Sequence, residues 1–265
     1  RDRSPSRGLG DVYKRQGPCC SRIPDGETGG RGYWIRWQQS TFDNCKDLQE
    51  GMVQEALPGF KDSVRRPFYK IKEGVSPSDI QMGDLGYAKE AMNSHRIFSR
   101  LVTEDKISSN VRFQVSIPTP MALVCGFIMA EDQLNVEPAI ESAMIKDVDQ
   151  IQAEIPPDHL AIQWDVCYEV VGSDGGPKLP YDNSIPGTVE RLARLCGSID
   201  DRVELVIHLC YGDPGHQHIV DPVDLGTSVE FANNICAASP RMINAVHMPV
   251  TVSYTHLTLP TILLV

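Results

Sequence analysis

The sequence has no apolar run long enough for a membrane helix, since none of its runs of apolar residues reaches about 18 residues. It has no C-x-x-C pair, although it contains eight cysteines, and so lacks the spacing of a zinc ribbon or a thioredoxin site. Basic residues are scarce: 25 Lys and Arg stand against 35 Asp and Glu, which gives a net charge of −10. This acidic balance argues against a non-specific nucleic-acid or anionic-membrane partner.

Glycine-rich phosphate-binding motifs are also missing. No G-x-G-x-x-G follows a predicted strand, and no G-K-[ST] follows the glycines of DGETGG at residues 25–30. The sequence therefore predicts neither a dinucleotide-binding fingerprint nor a P-loop. The cysteines are scattered, several of them within apolar segments, as buried free thiols are. They predict a reducing, cytoplasmic compartment.

Two short segments near the ends of the chain share an origin. DVYKRQ, at residues 11–16, and VSYTHL, at residues 252–257, translate one short DNA sequence read in opposite orientations. We recognise that DNA as the end of a transposase-based sequencing adaptor, and therefore set residues 1–16 and 251–265 aside as adaptor translation. The natural part, residues 17–250, is expected to be a fragment that lacks its own ends and any targeting signal, and to be inactive alone.

Short β-rich segments recur along the natural part, at residues 21–25, 67–71, 111–117, 160–166, 203–210 and 243–248. Helical patterns lie between them, at 87–102, 137–155, 187–196 and 225–238, and Pro138 suits the first helical position of the second. Alternating strands and helices predict an α/β fold with a parallel sheet. We interpret residues 17–250 as one partial (β/α)₈ TIM barrel without its first and last strands; a doubly wound open sheet is the alternative.

Polar side chains end three of the predicted strands. Asp165 closes one, His208 and Cys210 close the next, and His247 lies on the last. An i, i+2 spacing on a strand places His208 and Cys210 on one face, where nitrogen and sulfur suit zinc, and His247 would reach the same rim. A hydrogen-bonded core histidine and a cysteine that only packs are the structural alternatives.

Other polar residues are candidates for binding. Asp165 is expected at the barrel mouth, facing a cation or a donor-rich ligand, because an unpaired carboxylate inside a barrel is unfavourable. Glu27 lies in the glycine-containing loop after the first strand, which is equally consistent with a plain turn. His216 and His218 follow the H-x-C strand and could meet an anion, although solvated loop histidines are the simpler interpretation.

The motifs IQWDV, IHLCYGD and RIPDGETG…W together resemble the barrel superfamily of cobalamin-independent methionine synthase and uroporphyrinogen decarboxylase. The closer resemblance is to the catalytic domain of the synthase. It implies that His208 and Cys210 bind zinc, and that Asp165 and Glu27 contact an amino-acid substrate. The family's third ligand, a glutamate, is replaced near His247, the Glu and Pro that follow the family's aspartate are absent, and its final cysteine would lie beyond residue 250.

The resemblance implies zinc-dependent methyl or alkyl transfer to a small-molecule thiol such as homocysteine, in methionine biosynthesis, with a methylfolate as possible donor. A metal-free lyase or decarboxylase barrel is one alternative, because the decarboxylase relatives use the fold without a metal. A non-catalytic binding barrel is the other. No nucleic-acid or membrane partner is expected, and the oligomeric state is left open.

Overall fold

The computed structural model describes residues 20–26, 28–54, 66–181, 185–212 and 218–249. The strands, in chain order, are β1 Arg22–Pro24, β2 Leu48–Gln54, β3 Arg66–Ile71, β4 Arg112–Pro118, β5 Leu160–Val166, β6 Glu204–Leu209 and β7 Ala245–His247. The helices are α1 Gln39–Asp43, α2 Tyr87–Thr103, α3 Pro120–Phe127, α4 Gln133–Glu154, α5 Tyr168–Ser173, α6 Ile185–Gly197 and α7 Gly226–Ala238. Short 3-10 turns join several of these elements.

The central sheet is parallel and is curled into a half-barrel, with the strand order β1-β4-β5-β6-β7. The α/β class predicted from the sequence is therefore confirmed. Among the described strands, each new strand is added on the same side of the one before it, without the reversal of order that marks a doubly wound sheet. Closure into an eightfold barrel stays a prediction.

The prediction for residues 67–71 needs a correction. They do form a strand, β3, but it pairs antiparallel with β2 in a separate two-stranded sheet, with Leu48 opposite Ile71. Five of the six predicted strands, rather than all six, therefore belong to the parallel sheet. Strand β2 was not predicted; Gly51 lets it pass close to Met129, since a Cβ at Gly51 would lie 2.2 Å from the Met129 Sδ.

The four predicted helices are present, and one of them starts more than two residues from the predicted position. Helix α4 begins at Gln133, four residues earlier than predicted, so Pro138 lies inside the helix and not at its first position. The earlier turn buries Val136 completely, which offsets the backbone hydrogen bond that Pro138 removes. No helix in the described part of the chain is long and apolar enough to cross a membrane.

The two faces of the sheet differ in polarity, as β5 illustrates. Ile162 and Trp164 are fully buried on the apolar face. Gln163 and Asp165 alternate with them and lie on the opposite, interior face. There Gln163 accepts a hydrogen bond of 3.0 Å from the Gln114 amide on β4. The interior of the half-barrel is therefore lined by polar groups that fix one another's positions.

An ionic cluster lies at the amino ends of the strands on this interior face. Glu204 accepts from Arg22 at 2.6 Å and pairs with Arg112 at 3.1 Å, and it thereby links β1, β4 and β6. All three side chains are about one quarter exposed, at 22–24%. This cluster is remote from the carboxyl ends of the strands, where the candidate site lies, and we assign it to stability.

Candidate functional site

Three polar side chains form a row across the carboxyl ends of β5, β6 and β7. The parallel register pairs Asp165 with His208, and His208 with His247. Directly paired residues of parallel strands point to the same face, so these three side chains all lie on the interior face. The His208 and His247 rings are 4.5 Å apart between centroids and are tilted by 30°. The structure thus brings together three of the residues singled out in the sequence.

Two cysteines lie two residues further along the chain than Asp165 and His208. Cys210 follows His208 by two residues, and Cys167 follows Asp165 by two residues. The Cys210 amide donates to the Val166 carbonyl at 3.1 Å, which extends the β5–β6 ladder past the last paired residues. Cys167 is 1% exposed, whereas Cys210 is half-buried, and both are free thiols.

The two thiols have very different acidities. A side-chain hydrogen bond from Cys167, assisted by one from His208, lowers the pKa of Cys210 to about 5 although burial opposes ionisation. The same hydrogen bond and burial raise the pKa of Cys167 well above its usual value. The contact between the two thiols therefore favours ionisation of Cys210 over ionisation of Cys167.

The two histidines are shifted in opposite directions. Burial alone would lower the pKa of His208, but its hydrogen bond to Cys210 and the charges of Cys210 and Asp165 more than offset this and raise it. Burial and the nearby charge of His208 lower the pKa of His247. The His208 Nδ1 is buried and has no hydrogen-bond partner among the described residues, which leaves it available to a ligand.

Asp165 is held by its neighbour on the same strand. The Gln163 amide donates to one Asp165 carboxylate oxygen at 2.7 Å, and Gln163 is itself fixed by Gln114. This chain of amides sets the direction of the carboxylate before any ligand arrives. A preorganised carboxylate of this kind suits a cationic amine of a substrate.

A buried glutamate, Glu169, lies at the start of α5 close to the two thiols. It is 3% exposed, and burial raises its pKa to about 7. Its Oε2 has no hydrogen-bond partner within the described ranges. A carboxyl group with such a pKa can exchange a proton near neutral pH. Glu169 and Cys167 were not predicted from the sequence, although the repeated D-x-C and H-x-C spacing at two strand ends was a visible signal for the cysteine.

The remaining candidates are Glu27, His216 and His218. Glu27 and His216 fall outside the described residues, as do the segments 1–16 and 251–265. His218 is described, and its ring Nδ1 lies 3.4 Å from the Asp221 carboxylate. It therefore has a local partner and is not part of the row of strand-end residues.

The donor types at this edge, two thiols and two imidazoles, are those that zinc prefers. The His208 Nδ1, which has no hydrogen-bond partner among the described residues, and the lowered pKa of Cys210 also suit a soft divalent cation. Among the residues that the structure describes, no three His, Cys, Asp or Glu side chains are grouped as a metal site requires.

Comparison with known proteins finds no matching family model and no matching curated protein, so the resemblance to methionine synthase rests on the three motifs quoted above.

Proposed function

We propose that this site binds zinc and supports methyl or alkyl transfer to a small-molecule thiol. The observation that carries the proposal is the pairing of His208 with His247 at the carboxyl ends of parallel strands, with Cys210 two residues after His208. In parallel α/β folds, ligands bind at this end of the sheet. The resemblance to the synthase catalytic domain points in the same direction.

The residues have separable roles. His208, Cys210 and His247 would hold the ion, and Cys167 is a fourth donor within reach of Cys210. Zinc, when bound, keeps a substrate thiol in the thiolate form at neutral pH. Asp165, oriented by Gln163, would bind the cationic amine of an amino-acid thiol and direct its sulfur toward the site. A methylfolate is the donor that the resemblance implies.

Thiol binding to a cobalt-substituted chain tests this proposal. Cobalt(II) replaces zinc in N/S sites and reports each new sulfur ligand by a charge-transfer absorption. We expect homocysteine to add such an absorption and homoserine, which has a hydroxyl in place of the thiol, to add none. Cys210→Ser should abolish the response, whereas Cys236→Ser, at an exposed cysteine, should keep it. Equal responses to both ligands, or from Cys210→Ser, would contradict the proposal.

One observation favours a second candidate, a metal-free lyase or decarboxylase. The Glu169 carboxyl is buried, titrates near neutral pH and lies near Cys210, as a general acid requires. This alternative predicts that chelator-treated protein still exchanges deuterium into a small carboxylic acid, and that Glu169→Gln stops the exchange. Exchange that depends on added zinc would count against it.

A further inference from the structure

Cys167 and Cys210 occupy adjacent positions just after the ends of β5 and β6, and zinc binding alone does not require this adjacency. Val166 and Leu209 are the last register partners of β5 and β6, and the Cys210 amide still donates to the Val166 carbonyl. The next position on each strand is a cysteine. Neighbouring strands of a sheet are about 4.8 Å apart, which falls inside the Cα separation of about 4.4–6.8 Å that a disulfide needs.

The two thiol groups are also close to each other. Each cysteine follows an interior-facing residue by two positions, and the thiols share a hydrogen bond. Cys167, with φ −109° and ψ −65°, has already left the extended conformation and caps helix α5. Its Cβ is therefore not held parallel to that of its neighbour, as it would be inside a parallel sheet.

The pair is asymmetric in exposure. Cys210 is partly accessible at the carboxyl edge, whereas Cys167 lies behind it and is 1% exposed. A reagent in solution can therefore reach Cys210 first, and Cys167 only through Cys210. This is the arrangement of an attacking and a resolving cysteine.

From this geometry we propose that Cys167 and Cys210 form a redox-active dithiol that low-molecular-weight disulfides oxidise to an intramolecular disulfide. The Cys210 thiolate attacks one sulfur of the disulfide RS–SR, forms a mixed disulfide and releases RS⁻. Cys167 passes its proton to the RS⁻ released first and attacks the Cys210 sulfur, which forms the Cys167–Cys210 bond, breaks the mixed disulfide and releases the second RS⁻. The protein loses two electrons and the small disulfide gains them, so the exchange needs no other oxidant.

Oxidation with glutathione disulfide, followed by peptide mapping, tests the proposal. The reduced 265-residue chain should lose two hydrogens in mass and yield a cross-linked pair of peptides that contain Cys167 and Cys210. Cys167→Ser should stop at a glutathione adduct on Cys210, and Cys210→Ser should form neither product at these positions. Cys236→Ser should behave as the unsubstituted chain does.

A second measurement avoids variants altogether. Phenylarsine oxide bridges two thiols only when they are adjacent, and it should bind the unsubstituted chain with one arsenic across the peptides of Cys167 and Cys210. The proposal is overturned if the oxidised chain keeps glutathione on Cys210 without the internal bond. It is equally overturned if arsenic leaves this pair unbridged.

Discussion

Asp165 and His208 are direct register partners on neighbouring parallel strands, and their side chains share the interior face. The carboxylate contributes to raising the pKa of the imidazole, after the larger contribution of Cys210. His208 therefore lies between two groups that favour its charged form, Asp165 on β5 and Cys210 just after the end of β6. This charge arrangement favours binding of a cation, whether a proton, a metal ion or an amine.

The first prediction concerns this charge coupling. In the metal-free chain, Asp165→Asn should lower the pKa of His208, because the imidazolium loses a nearby negative charge. Cys210→Ser should lower it further, since Cys210 is the larger favourable influence. The histidine ring signals in an NMR titration measure both effects. Asp79→Asn, at an exposed and remote carboxylate, is the control; an unchanged His208 titration in Asp165→Asn would refute the coupling.

The second prediction concerns the ionic cluster at the other end of the strands. Glu204→Gln should lower the free energy of unfolding by about 1–2 kcal/mol, because Arg22 and Arg112 lose their shared partner while remaining partly buried. Urea denaturation measures the change. Glu230→Gln, at an exposed position on α7, should leave the midpoint where it was. Equal urea denaturation midpoints for both variants would show that the cluster does not stabilise the fold.

The third prediction concerns Asp147, which caps helix α2 by accepting from the Tyr87 amide at 3.0 Å. Burial raises the pKa of Asp147 from 3.8 to about 6. The folded state then binds the proton more tightly than the unfolded state, so the stabilisation present below pH 3.8 is lost as pH rises to about 6. The loss is at most about 3 kcal/mol.

Asp147→Asn keeps an acceptor oxygen but cannot ionise. Its free energy of unfolding should therefore vary less between pH 4 and pH 7 than that of the unsubstituted chain, as measured by urea denaturation at each pH. Asp149→Asn, exposed on the same helix, should retain the original pH dependence. If the two variants have the same dependence, the Asp147 carboxyl does not titrate in this range.

The central strands could be predicted from the sequence because strands that are buried on both faces consist mainly of apolar residues. Strand β5, LAIQWDV, is apolar on both sides except at Gln163 and Asp165, and those two exceptions marked the interior face. The separate sheet of β2 and β3 was harder to predict, because β2 has the sequence LQEGMVQ, with a glycine and three polar residues. Strand β2 passes close to Met129 at Gly51, and a contact between residues so far apart in the chain leaves no periodic pattern in the sequence.

The candidate site was predicted in part for a similar reason. His208 and His247 could be placed at one edge because consecutive parallel strands end together. Cys167 was not singled out from the sequence, since only the register of β5 against β6 places it next to Cys210. The acidity of Cys210 likewise depends on two partners from different positions, and no local pattern encodes it.

Zinc affinity in the presence of a competing chromophoric chelator tests the central claim most directly. We predict that the chain binds one zinc ion, and that Cys210→Ser and His208→Gln each weaken binding by at least about tenfold, because each removes one ligand. Cys236→Ser, at an exposed cysteine, should bind as the unsubstituted chain does. A chain that takes no zinc from the chelator, or a Cys210→Ser variant that binds zinc as tightly as the original, would contradict the account.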